Sequence, residues 1–328
     1  MNIVITGSIA YDYIMFFPGE FSDHILPENL ERLTLSFHVH ELARHWGGTG
    51  ANIAYNLALL GERPKLVASA GHDFEDFRRW LEEAGVDTST VRTFDDVFTA
   101  SFFANTDQSN RQIAFFHGGA MDRAPEVTLK NSVGGEADLV TVSPNHMGAM
   151  TGYIAECKAL GIPYFFDPGQ QVIRLSEDEL REATLGATYL ALNDYEMEML
   201  TKKTGLSRED ITSAVETVII TRGEEGSHIL HGGQVIEIPA APPANVADPT
   251  GAGDSFRGGF LKGLAQNWPL ELAGRVGSLM AAITIEEHGP QSARFTPEAF
   301  VERFRKAFPD FDDAGALDSM LAAGASRG

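Results

Sequence analysis

Ala247-Asp248-Pro249-Thr250-Gly251-Ala252-Gly253-Asp254-Ser255-Phe256-Arg257-Gly258-Gly259-Phe260 is a glycine turn that delivers one carboxylate into an apolar helix. Gly251, Ala252 and Gly253 carry little or no side chain, so their amides can converge on an anion at the positive end of the helix dipole. Asp254 stands beside that site, where a negative group costs phosphate affinity unless its task is to take a proton from an attacking hydroxyl. The pairing points to phosphoryl transfer to an alcohol. A helix-start box accounts for the same residues, with Asp248 or Thr250 as N-cap and Asp254 favouring the dipole. The stretch alone leaves both readings open.

Around it, short apolar runs alternate with amphipathic stretches. Lys65–Ala70, Asp138–Ser143, Pro163–Phe166, Tyr189–Leu192 and Val218–Thr221 read as strands separated by room for crossover helices, the pattern of an α/β fold with a mostly parallel sheet. Their polar ends, among them Asp167-Pro168-Gly169-Gln170-Gln171 and Thr221-Arg222-Gly223, should share one crevice. Two regions break the rhythm. Tyr13–Phe17 with Leu33–His40, and Thr99–His117, are β-prone without helices between, and the polar run Asn105–Asn110 reads as a hairpin turn. They predict a small sheet covering the crevice as a lid. Asp310–Gly328 reads as a short helix with a frayed tail.

The chain has 328 residues, 43% hydrophobic and 22% charged, enough for one large domain with an extensive core. Its net charge of −21 opposes polyanions, so neither nucleic acid nor an anionic membrane is an expected partner. Cys157 is the only cysteine, which excludes an internal disulfide; it reads as a packing residue in a helix. The chain opens on a buried-strand pattern without a basic leader, and no uncharged run reaches spanning length, so a cytoplasmic location is expected.

Several other residues suit phosphoryl transfer, each with a plainer explanation beside it. Gly47-Gly48-Thr49-Gly50-Ala51-Asn52 precedes a helix-like run, and it offers either a surface for close ligand approach or glycines for tight helix packing. It lacks the third glycine of a dinucleotide fingerprint, and the Walker A and protein-kinase signatures are absent. Asn193 and Glu196, three apart at a helix start, can hold hydrated Mg²⁺ or simply cap the helix. Asp12, just past the first strand, can accept from a vicinal diol or be a loop acid. Phe102 and Phe116 can sandwich a planar base or pack between sheets. Arg222 and Arg257 can neutralise phosphate or form surface salt bridges. His38, His40 and His45 lack zinc-site spacing.

Read jointly, Gly47 to Gly71 and Asp248 to Leu261 resemble the two signatures of the ribokinase-like (PfkB) carbohydrate kinases, with Asn193-x-x-Glu196 matching that family's metal-associated motif between them. The resemblance spans nearly the whole chain. It implies a single ribokinase-like three-layer α/β domain over 1–328, with lid strands from about 11–45 and 97–118. Within the family, Gly7–Asp12, Leu35–Phe37, the two phenylalanines and Asp167–Gln171 are similar to the adenosine kinases of bacteria.

By that resemblance Asp12, Gly48 and Asn52 hold ribose hydroxyls, and Ser8, Ser36, Phe102, Phe116, Gln170 and Gln171 surround a purine. Asp254 is the base and the Gly251–Gly253 amides are the anion hole, while Thr221, Arg222 and Gly223 lie with Asn193 along an ATP groove. Mg²⁺ is implied at Asn193 and Glu196, and a K⁺ site at Asp248 and Thr250. The implied reaction is ATP-dependent phosphorylation of the adenosine 5'-hydroxyl. A kinase for ribose, another sugar or another nucleoside is the alternative within the class, and a catalytically silent nucleoside sensor the one outside it. Family lids sometimes pair between subunits through exposed sheet edges, which makes a homodimer through the lid a hypothesis to test.

Overall fold

The apolar run at the start of the chain forms a strand buried on both faces, Ile3 and Ile5 entering one hydrophobic cluster and Val4 the other. That alternation fixes three layers. In the computed structural model, which describes residues 1–25, 34–318 and 320, this strand, β1 (Ile3–Thr6), lies inside an eight-stranded sheet. Its neighbours are β4 (Lys65–Val67) and β9 (Leu139–Val142), followed outward by β10 (Tyr164–Phe166), β11 (Tyr189–Asn193), β12 (Thr217–Thr221), β13 (Ser227–His231) and β14 (Gln234–Ile238). All contacts from β4 to β12 are parallel, and only β13 runs antiparallel to its neighbours.

Helices Thr49–Leu59 and Ala252–Ala265 cover the face that Ile3 and Ile5 enter. Helices Met147–Leu160 and Asp194–Thr204 cover the other, where burial pushes the Cys157 thiol up to about 12 and leaves it a packing group.

A separate four-stranded sheet is built from β2 (Ala10–Phe16), β3 (Glu41–Gly47), β7 (Ala100–Thr106) and β8 (Gln112–His117), in the order β3-β2-β7-β8. The turn between β7 and β8 is organised by the buried Asp107 carboxylate, which accepts from the Ser109 and Arg111 amides and from that of Phe21. A polar hairpin turn and a small sheet therefore form where expected.

Three elements differ from expectation. The segment Leu33–His40 supplies no strand: Leu33 lies outside the described residues, and 34–40 is coil. Phe37 buries itself against Phe17 and Phe21, with ring centroids 5.0 Å from each, and the strand forms downstream as β3. Lys65–Ala70 is two strands, because the chain leaves the main sheet at Ala68 and continues as β5 (Ser69–Gly71), which pairs with β6 (Arg92–Phe94). The hairpin β13–β14 falls outside the expected strands, although Gly232 and Gly233, both at positive φ, join two alternating runs. Of the expected C-terminal helix and tail, 319 and 321–328 lie outside the described residues.

Candidate active site

Three strand ends and one helix start meet at the carboxyl edge of the main sheet. Asp167 follows β10, Asn193 ends β11, Thr221 ends β12, and helix Ala252–Ala265 opens at Gly251. Together with Thr49, Gln170, Glu196 and Arg257 they line a cavity of about 270 Å³. Gly251 is the N-cap at φ +81°, a left-handed conformation, and a Cβ there would come within 2.3 Å of the Pro290 Cβ. Only glycine fits that turn without strain. The first-turn amides of the helix face the cavity end; that of Ala252 reaches the Pro249 carbonyl at 3.3 Å, while those of Gly253 and Asp254 have no carbonyl one turn back within the helix.

Asp254 is half-buried, and its Oδ2 accepts from Asn52 Nδ2 at 2.7 Å. Burial lifts its carboxyl to about 6, against the pulls of the Asn52 bond and Arg257, with Glu196 adding repulsion. Neither Asp248 nor Thr250 caps the helix: Asp248 Oδ1 accepts from the Thr250 amide at 2.9 Å and its Oδ2 from the Gly289 amide at 3.1 Å. Burial pulls the Asp248 carboxyl up, but these bonds outweigh it and hold it below the usual range.

Arg257, taken from sequence as a phosphate partner or a surface ion pair, is instead buried. Its Nε lies 2.6 Å from Asp167 Oδ2, its Nη2 donates to Asp167 Oδ1 at 2.7 Å, and its Nη1 donates to the Gly253 carbonyl at 3.0 Å. An arginine between Phe256, Gly258, Gly259 and Phe260, all buried, was the signal that such a partner had to exist.

Asn193 and Glu196 form a reciprocal capping box: Glu196 N donates to Asn193 Oδ1 at 2.7 Å and Asn193 N to Glu196 Oε2 at 2.8 Å. The plainer reading of this pair is thus realised, yet both residues also line the cavity. Their oxygen donors suit Mg²⁺, and with one oxygen of each already committed the fit is to a hydrated ion. Arg222 does not line the cavity; it is held by Asp194, Glu225 and His228, and Gly223 follows it at φ +55°.

The small sheet supplies a second group. In its register Asp12 is paired with Phe102 and with His45, and Phe102 with Phe116, so all four side chains share one face. Burial, then Asp248 and Asp254, raise the Asp12 carboxyl to about 6, which places it among the acids of the cleft. A Cβ on Gly47 would lie 2.3 Å from Asp12 Oδ2, so glycine is what admits this carboxylate. Gly48, at φ +89°, precedes the helix that carries Asn52.

The remaining expected residues are placed less favourably for a ligand. Ser8 Oγ accepts from the Thr49 amide at 3.1 Å, capping the helix start. Gln171 is buried and gives its Nε2 to the Asn145 carbonyl at 2.8 Å, while Gln170 faces the cavity. Ser36 is exposed in the coil before β3. Gln291, which sequence reasoning passed over, is 2% exposed and donates to Asn52 Oδ1 at 2.9 Å.

No helix among the described residues is long and apolar enough to cross a membrane. A model of the pfkB family carbohydrate kinases matches residues 3–297. The nucleoside kinase of Methanocaldococcus jannaschii is 30% identical over 310 residues, spanning 93% of this chain and 97% of the relative. The structure of Burkholderia thailandensis nucleoside kinase in complex with inosine is similar with a TM-score of 0.84 at 36% identity, covering 94% of this chain and 100% of that one. The same enzyme in complex with ADP-inosine gives 0.81 at 38% identity, covering 94% and 96%.

Proposed function

Because the chain belongs to the pfkB family of carbohydrate kinases, we propose that it transfers the γ-phosphoryl group of ATP to the 5'-hydroxyl of a purine nucleoside in the cytoplasm, with adenosine as the first expected acceptor. The observation that carries the reading is Asp254, a half-buried carboxylate held by Asn52 at the mouth of a helix whose first-turn amides open on the same cavity. With its carboxyl at about 6, Asp254 is ionised at neutral pH and fit to accept a proton. The 5'-oxygen loses that proton to Asp254 as it bonds to the γ-phosphorus. The bond from phosphorus to the ADP oxygen breaks in line, giving the nucleoside monophosphate and ADP, while the Gly253 and Asp254 amides meet the charge on the transferred group. Mg²⁺ bound through water near Asn193 and Glu196 would neutralise phosphate charge, and the Asp248–Thr250 turn would hold a K⁺ ion.

On the acceptor side Asp12 takes the sugar hydroxyls, and Phe102 and Phe116 flank the base. Their sheet serves as a lid that keeps water from taking the place of the alcohol. Gln170, beside Asn193 in the cavity, suits the phosphates better than the purine position expected of it, and Ser8, Ser36 and Gln171 are not needed.

Inosine is the second reading, favoured by the structural neighbour bound to it. A panel of adenosine, inosine, cytidine, ribose and fructose with ATP, scored by coupled ADP release, tests both. Turnover confined to free sugars would refute a nucleoside acceptor, and no ADP release with any of them would favour a sensor. The lid also offers a dimer surface through Leu42 and Phe115, 63% and 68% exposed.

A further inference from the structure

We propose that Gln291 is a positioning residue for the phosphoryl-transfer base, acting on Asp254 through Asn52; this rests on the reading of Asp254 as that base. The three side chains form one chain of bonds. Gln291 Nε2 donates to Asn52 Oδ1 at 2.9 Å, and Asn52 Nδ2 donates to Asp254 Oδ2 at 2.7 Å. Gln291 and Asn52 are both buried, so water does not replace either bond cheaply.

The chemistry lies in the two unlike ends of an amide. Turned over, Asn52 would aim its oxygen at the Asp254 carboxylate, lone pair against lone pair. It would also bring its NH₂ against the NH₂ of Gln291. A donor at 291 thus matches the one orientation in which Asn52 stabilises an ionised Asp254. The segment that carries Gln291 ties to the Asp248 turn three times: Ile285 O accepts from the Ala247 amide at 2.8 Å and from the Asp248 amide at 3.2 Å, and Gly289 N donates to Asp248 Oδ2 at 3.1 Å.

The charges around Asp254 show why that donation matters. Arg257 on its own helix is the cation beside it. Facing it are Asp12 from β2, Glu196 from helix Asp194–Thr204 and Asp167 after β10, with Asp248 beyond Asp12. Burial and these carboxylates favour the protonated, inert form, and the Asn52 bond opposes them. Gln291 is neutral, so an uncharged substitution leaves every one of those charges in place.

The test is the pH profile of kcat/KM for the nucleoside. Gln291→Met, close in size and uncharged, is expected to move the acid limb upward by about one pH unit and so to lower kcat at pH 7 about two-fold. Gln291→Asn withdraws the amide by one methylene; it is expected to shift the limb the same way by less, and it is the variant to read if the Met variant does not fold. A purely structural role for Gln291 would lower the melting temperature and leave the limb where it is. An unchanged limb in a folded variant overturns the proposal. Asp254→Asn measured alongside separates the two failures: retained turnover there refutes the base and the proposal with it, whereas a dead Asp254→Asn with an unmoved limb refutes the role of Gln291 alone.

Discussion

Arg257 and Asp167 lie one turn into a helix and just past a strand, yet they meet as a buried pair with two contacts, 2.6 and 2.7 Å. Arg257 also feels Glu196 and Asp254, so it balances three carboxylates at once. Arg257→Leu should therefore destabilise the protein by about 3–5 kcal/mol, the usual cost of stranding a buried charge. Asp167→Asn should cost less, because the other two carboxylates remain for the guanidinium. Urea midpoints of the two variants check the order, and an equal or reversed order would count against the charge balance.

Asp254→Asn should lower kcat by roughly 10²–10⁴-fold while nucleoside affinity, measured by calorimetry, changes little. As the proposed base, Asp254 works only when ionised. Activity should thus be lost as the pH falls through about 6, the value for both Asp254 and Asp12, and should level off above neutrality. A profile flat from pH 5 to 8 would contradict the assignment.

Stability should run the opposite way in the same window. Asp12 and Asp254 have folded-state values near 6, above the 3.8 of a free aspartate, so the folded state binds more protons between those limits. Their contribution is complete below the unfolded value and is lost as the pH rises through 6. Other carboxyls, such as Asp107 and Asp210, are held low and begin to cost stability only in stronger acid. The melting temperature of the ligand-free protein should rise from pH 8 to about 5.5, and Asp254→Asn should flatten part of that rise.

Gly251→Ala tests the turn itself. The added methyl meets Pro290 and the residue must hold φ +81°, so a loss of about 1–2 kcal/mol from backbone strain alone is expected, with the contact adding to it. Turnover should fall further than the melting curve suggests, because the displaced turn carries the first-turn amides away from the cavity. A variant with unaltered kcat would argue against an anion hole there.

If the small sheet pairs two copies, gel filtration at micromolar concentration should give twice the monomer mass, and Leu42→Lys with Phe115→Glu should return it to monomer. A wild-type elution at monomer mass would exclude that pairing.

What sequence could reveal was what is local or periodic. Val4 between Ile3 and Ile5 announces a strand with two covered faces, and Gly251 to Asp254 announces a helix start at a glycine turn. Asn193 and Glu196 were legible as a pair but not as a choice between metal and cap, since both uses need the same atoms at the same spacing. Leu33–His40 misled because β-prone side chains can satisfy themselves in an aromatic cluster as well as in a sheet. Gln291 left no trace, because its partner Asn52 is 239 residues away and a lone glutamine carries no periodicity.

The two sheets share the site without sharing a strand. Asp12, Phe102 and Phe116 ride on a small sheet joined to the body at Gly7–Ile9, Gly48, Thr99 and Gly118, whereas Asp254, Gly253 and Asn193 belong to the main sheet and its helices. Apart from the electrostatic coupling of Asp12 to Asp254, substitutions on one set then have little reason to disturb the other. Such a molecule can change the alcohol it accepts by drifting on a few faces of a thin plate, and keep its way of handling phosphate unchanged through that descent.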